Sequence, residues 1–181
     1  MQGTPESPLF LPQWRKQKAR ELSRVPRFVT KSPTCHVGFL PLLSPPEDKT
    51  MTEHGYIRSI HRLLPKSVYA WKINDRFQGG VADAYYSGNS GDLWVEYKYL
   101  KALPKQSTTA VKIDLSTLQR QWLRARHTEG RRVAVVIGSP IGSLILEGLE
   151  WDNDISTANF IRSAVDKSEV AAYILSKITR V

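Results

Sequence analysis

Residues 79–100 read GGVADAYYSGNSGDLWVEYKYL, two runs rich in valine, tyrosine and tryptophan around the polar stretch Ser87, Gly88, Asn89, Ser90, Gly91 and Asp92. Aromatic and β-branched residues suit a pleated surface, and glycine with asparagine supplies the positive φ that a tight reversal needs. The pattern predicts an antiparallel hairpin, residues 81–86 into 93–100. Side chains alternate along a strand, so Trp94, Glu96 and Lys98 share one face, and Leu93, Val95, Tyr97 and Tyr99 share the other. Asp83 on the first strand then neighbours Glu96 and Lys98 on the second.

A strand Glu–Lys pair is ordinarily a solvated, charge-paired edge. Here Glu96 and Lys98 lie within the run Trp94, Val95, Tyr97, so they are expected in a partly buried strand, where charges need partners. Asp83 follows Gly79 and Gly80, which permit close backbone approach. Its charge repels that of Glu96 unless a cation relieves it. Magnesium prefers oxygen ligands, keeps several waters and is often held by one or two carboxylates with a substrate phosphate. Asp83 and Glu96 are therefore candidate ligands for Mg2+ or Mn2+, with the backbone carbonyl of Tyr97 as a third donor. Such an ion suits phosphodiester hydrolysis, and a lysine ammonium beside it can orient the attacking water or stabilise charge on the phosphoryl group. Lys98 is the candidate for that role.

These residues resemble the PD-(D/E)XK nuclease superfamily, and within it the VRR-NUC type of stand-alone phage and prophage endonuclease, over residues 51–149. The resemblance sets Asp83 in the place of the first acid, Glu96 and Lys98 as the E-x-K, Glu53 on an opening helix and Gln119 on the following helix. It departs at Ala82, where the superfamily usually has proline, a change that relaxes backbone restraint and removes no ligand. It implies an α/β fold with a restriction-endonuclease-like αβββαβ core, a mixed central sheet flanked by helices. It further implies a magnesium- or manganese-dependent DNA endonuclease, with branched DNA such as Holliday junctions as a substrate. Two other readings stay open: a non-catalytic nucleic-acid-binding module, and a structural subunit of a phage or repair assembly.

The order of elements is legible without the resemblance. Thr52 and Glu53 open a run whose apolar positions Tyr56, Ile57, Ile60, Leu63 and Leu64 form one helix face, closed by Pro65. A strand over residues 67–73 and the hairpin follow. Ser116 then opens a second helix, with Leu115, Leu118, Trp122 and Ala125 at helical spacing and Gly130 as its stop. Residues 132–137 are an apolar strand of buried type and 142–147 one further strand. Glu53 has an ordinary use at a helix N-terminus through the macrodipole. Gln119 likewise fits a capping box with Ser116, whereas the resemblance turns it toward the site.

The net charge of +9 is uneven, with fourteen Lys and Arg against seven Asp and Glu over residues 51–132, but four against six over 133–181. The basic half is the half that holds the motif. Arg58, Arg62, Lys66, Lys101, Lys105, Lys112, Arg120, Arg124, Arg126, Arg131 and Arg132 are candidate phosphate contacts, giving salt-sensitive, sequence-independent affinity for DNA. The long basic loop at residues 101–112 either closes over substrate or is a connector. Cys35 is the sole cysteine, which excludes an intrachain disulfide and fits a cytoplasmic, intracellular setting. His36, His54, His61 and His127 lack metal-ligand spacing, and no apolar stretch is long enough to span a membrane.

Eight of the eleven prolines fall in residues 1–50. That segment is expected to be a poorly ordered extension with at most a short helix over 13–22, and Met51, directly before Thr52, is expected to mark the natural start. Residues 51–150 form the expected nuclease core. The remainder, 151–181, is expected to be a helical extension carrying Phe160, Ile161, Ala164 and Val165, then Val170, Ala171, Ile174, Leu175 and Ile178. These stripes either pack on the sheet, the ordinary use, or form a homodimer surface.

Overall fold

The structure, a computed structural model, describes residues 51–73 and 79–180. The proline-rich segment 1–50 and its expected helix lie outside the described residues. Thr52 caps α1 (Glu53–His61), accepting from the Gly55 N–H at 3.1 Å, and the helix buries Tyr56, Ile57 and Ile60. Leu63 falls beyond its end and is exposed. The chain continues through β1 (Tyr69–Lys72), β2 (Ala84–Gly88), β3 (Gly91–Tyr99), β4 (Ala110–Val111), α2 (Thr117–Thr128), β5 (Val133–Ser139), β6 (Gly142–Leu146), a 3-10 turn (Glu150–Asp152), β7 (Ile155–Ser156), α3 (Thr157–Ser163) and α4 (Lys167–Ile178).

The main sheet has the order β1-β2-β3-β5-β6 and is mixed: β3 and β5 run parallel, and the other neighbours are antiparallel. The expected αβββαβ order is present. Helices α1 and α4 pack on one face of the sheet, where the Tyr56 and Tyr97 rings meet edge to face. The other face carries Val133, Val135, Ile137, Leu144 and Leu146, packed with Leu115, Leu123, Trp151 and Phe160. Covered on both sides, β5 is buried along its whole length, as its apolar run predicts.

Two expectations need correction, and the loop after β3 gains a detail. The hairpin turn is shorter than its six polar residues suggest, because Gly88 pairs with Gly91 and only Asn89 and Ser90 lie outside the ladder. Pairing thus extends into the glycines, and Asp83 stands just ahead of β2 instead of within it, its carbonyl accepting from the Ile73 N–H at 2.8 Å. On α2, Leu118 and Ala125 are exposed and the buried residue is Leu123. The helix turns a narrower stripe inward than the spacing suggests. The loop 101–112 ends in β4, which pairs with β7, and the Thr109 and Ser107 carbonyls accept from the N–H groups of Thr157 and Ala158 at 2.9 and 2.8 Å. Its second half is thereby tied down.

Candidate active site

The glycine pair sets the position of Asp83. Gly80 has φ +91°, and a Cβ there would stand 2.6 Å from the Leu118 carbonyl carbon, so glycine alone lets this segment lie against the first turn of α2. Asp83 Oδ2 accepts from the Tyr97 N–H at 2.9 Å, which fixes the carboxylate against β3.

Glu96 lies on the central strand and its side chain is fully buried. Oε1 accepts from Lys98 Nζ at 2.8 Å and from Gln119 Nε2. Oε2 is buried and has no hydrogen-bond partner among the described residues. Burial, then the neighbouring Asp83 charge, push the carboxyl up to about 7, with Lys98 opposing and Glu53 adding to the rise. Lys98 is drawn down by its burial, but the Glu96, Glu53 and Asp83 carboxylates outweigh this and hold it above its ordinary value. It therefore carries an ammonium at neutral pH.

Glu53, the first residue of α1, reaches the same cluster. Burial raises its carboxyl; Lys98 opposes this, Asp83 adds to it, and the Tyr99 backbone N–H and Lys72 oppose it further. Gln119 fulfils both of its expected uses at once: Oε1 accepts from the Ser116 N–H at 2.9 Å to complete a capping box, while Nε2 donates to Glu96. The amide has one acceptor and two donors, so the roles do not compete. Tyr97 brings only its backbone to this side; its phenol lies buried on the opposite face, bonded to Tyr86 at 2.7 Å, which bonds His61 at 2.8 Å.

The sequence reading missed Lys72, a cation near Glu53, because strand β1 and helix α1 meet only in the fold. Several of the candidate phosphate-contacting arginines also have partners within the chain. Arg120 bonds the Trp151 carbonyl at 2.9 Å and Asp152 at 3.3 Å, Arg124 bonds Asp152 at 2.8 Å, Arg126 bonds Glu129 at 2.6 Å, and Arg132 donates to the Lys177 carbonyl. Of these ties, those from Arg120, Arg124 and Arg132 join segments distant in sequence, and Arg126–Glu129 is a local, exposed pair. Arg58, Arg62, Lys66, Lys101, Lys105, Lys112 and Arg131 are exposed.

Among the described residues, no group of three or more His, Cys, Asp and Glu is arranged to hold one metal ion, and no helix is long and apolar enough to cross a membrane. No protein-family model matches the chain, and no curated protein matches it. Among solved structures, the fold is similar to that of Hjc, a Holliday junction resolvase from the archaeal hyperthermophile Archaeoglobus fulgidus, at 13% identity and a TM-score of 0.42, covering 67% of this chain and 97% of that one.

Proposed function

We propose that this chain is a metal-dependent DNA endonuclease that hydrolyses phosphodiester bonds with Asp83, Glu96 and Lys98, supported by Glu53 and Gln119. The observation that carries this reading is Glu96, a fully buried carboxylate with one oxygen lacking a partner among the described residues, beside a second carboxylate that raises its pKa. Leaving a buried charged acceptor unsatisfied costs about 1–3 kcal/mol or more, and the contacts of Glu96 with Lys98 and Gln119 use Oε1 and leave Oε2 without a partner. Glu96 and Asp83 would hold a hard divalent ion such as magnesium or manganese, which would give the free Glu96 oxygen a partner. The Tyr97 carbonyl is a further donor. When bound, the ion supplies Lewis acidity toward a phosphoryl oxygen and toward water.

The chain's own residues do the rest. The Tyr97 N–H fixes Asp83, and Lys98 with Gln119 holds Glu96 by Oε1 alone. The Lys98 ammonium stabilises charge building on the phosphoryl oxygens or orients the attacking water. The exposed lysines and arginines and the net charge of +9 suit a phosphate backbone. Resemblance to the VRR-NUC type adds branched DNA as substrate, a phage or prophage setting inside a host cell, and a homodimer that cuts two strands. One competing reading is a non-catalytic nucleic-acid-binding module on the same fold, which would share the basic surface.

Incubation with supercoiled plasmid, linear duplex and four-way junction, in magnesium, manganese or chelator, separates the two. Metal-dependent nicking or junction cutting is expected, reduced about 100-fold or more in Asp83→Ala and Lys98→Ala with binding retained. Equal cutting by Asp83→Ala overturns the site assignment. Failure to cut any substrate, with DNA binding retained, favours the binding module.

A further inference from the structure

The sheet face that bears Glu96 and Lys98 also bears a row of aromatic rings. In register, Trp71 stands opposite Tyr85 and Tyr85 opposite Trp94, so Tyr69, Trp71, Tyr85 and Trp94 share the face of Glu96 and Lys98. Tyr69 and Tyr85 lie 6.5 Å apart between ring centroids, Tyr85 and Trp94 4.6 Å, and Trp94 and Trp122 of α2 5.2 Å. Helix α2 closes the row at Trp122. The other end is open: Tyr69 is 61% and Trp71 52% exposed on the edge strand β1.

Packing across the strands for Tyr85 and Trp94, and of Trp94 against Trp122 of α2, explains those three rings. It leaves Tyr69 and Trp71 unexplained, with more than half their surface in water on a strand that solvent would ordinarily populate with charge. The row runs directly into the carboxylates, since Trp94 and Glu96 are two residues apart on β3, about 7 Å. It borders a charged site, not an apolar rim, in a chain of net charge +9. Such a surface suits a ligand with flat apolar groups on an anionic backbone.

We propose that Tyr69 and Trp71 form a stacking platform for the unpaired bases of single-stranded DNA adjoining the phosphate to be cut. The platform builds on the nuclease reading and narrows its substrate to DNA with an unpaired segment. Stacking on an aromatic ring is tolerant of sequence because every base has a π face, so the platform selects for unpaired structure and not for a base order.

The experiment measures binding of the full chain to a labelled oligo(dT) and to a blunt duplex of equal length, in chelator, where nothing is cut. Tyr69→Ala/Trp71→Ala is expected to weaken oligo(dT) binding about tenfold or more, with duplex binding within about twofold, and Trp71→Phe to restore most of the loss because a ring is kept. Both positions are exposed, and an unchanged thermal midpoint shows that the fold survives. Should the double variant disturb folding, indole fluorescence provides the second measurement: oligo(dT) is expected to quench the parent more than Trp71→Phe. Oligo(dT) affinity equal in parent and double variant overturns the proposal. So does a platform that serves a second copy of the chain, seen as a parent dimer in sedimentation that the double variant dissociates while DNA affinity stays constant. Ring-dependent binding without metal-dependent cutting overturns the nuclease reading alone.

Discussion

Glu96 is asked to be charged where charge is least welcome, and this has a measurable signature. With its carboxyl raised from 4.5 to about 7 in the folded chain, the folded state binds the more protons between those values, so stability falls as pH rises through that window and levels off above it. The rise corresponds to roughly 3 kcal/mol. In chelator, the unfolding free energy of Glu96→Gln relative to the parent is therefore expected to climb by about that amount from pH 4.5 to 7.5, and magnesium to shrink the gap by binding the ionised form. Denaturant unfolding across that range checks it; a gap independent of pH removes the conflict from Glu96. At this scale the sequence was informative where strand alternation applied: Glu96 and Lys98 were placed on one face and Asp83 beside them. It was silent on Lys72, whose proximity to Glu53 depends on how a helix settles against an edge strand.

A single serine at the start of α2 links an element to the site. Ser116 accepts from the Gln119 N–H at 3.2 Å and donates its own backbone N–H to the Gln119 side chain, whose other end holds Glu96. Loss of an N-cap costs about 1 kcal/mol, but here the cap also positions a residue of the site. Ser116→Ala and Ser156→Ala, the latter removing the α3 cap that accepts from the Asn159 N–H at 3.2 Å, are expected to lower stability similarly. Only Ser116→Ala is expected to slow cutting, by about fivefold or more, roughly the rate equivalent of 1 kcal/mol. Equal activities in the two variants show that Gln119 keeps its place without the cap. The capping box was visible as Ser116-x-x-Gln119, and β5 as an apolar run. The β4–β7 ribbon was not, because two residues a strand carry no period, and Leu118 does not face the sheet because α2 meets it through Gln119, Trp122 and Leu123, leaving Leu118 against the glycine pair.

Among the described residues, the sheet is held by the first helix and the last. Helix α4 packs on β3, β2 and β6 and against α1, and its last turn reaches the β2–β3 turn: the Ile178 carbonyl accepts from the Ser90 N–H at 2.9 Å, and the Lys177 carbonyl from Arg132. Two apolar stripes near the C-terminus were readable, but not the surface they cover, and the ties from Arg120 and Arg124 to Asp152 were hidden by about thirty intervening residues. Strand β3 carries Glu96 and Lys98 on one face and the α1 and α4 contacts on the other, so the site's backbone depends on a helix that contributes no residue to it. Ile174 in α4 is fully buried, whereas Ile161 in α3 is 55% exposed. Ile174→Ala is expected to lower the unfolding free energy by about 2–5 kcal/mol, and Ile161→Ala by less than about 0.5 kcal/mol. In urea, fluorescence and cutting activity of Ile174→Ala are expected to be lost together at one lowered midpoint, because α4 and the sheet that bears the site unfold as a unit. Activity that outlasts the fluorescence change, or an unchanged midpoint, identifies α4 as an appendage to an independently stable core.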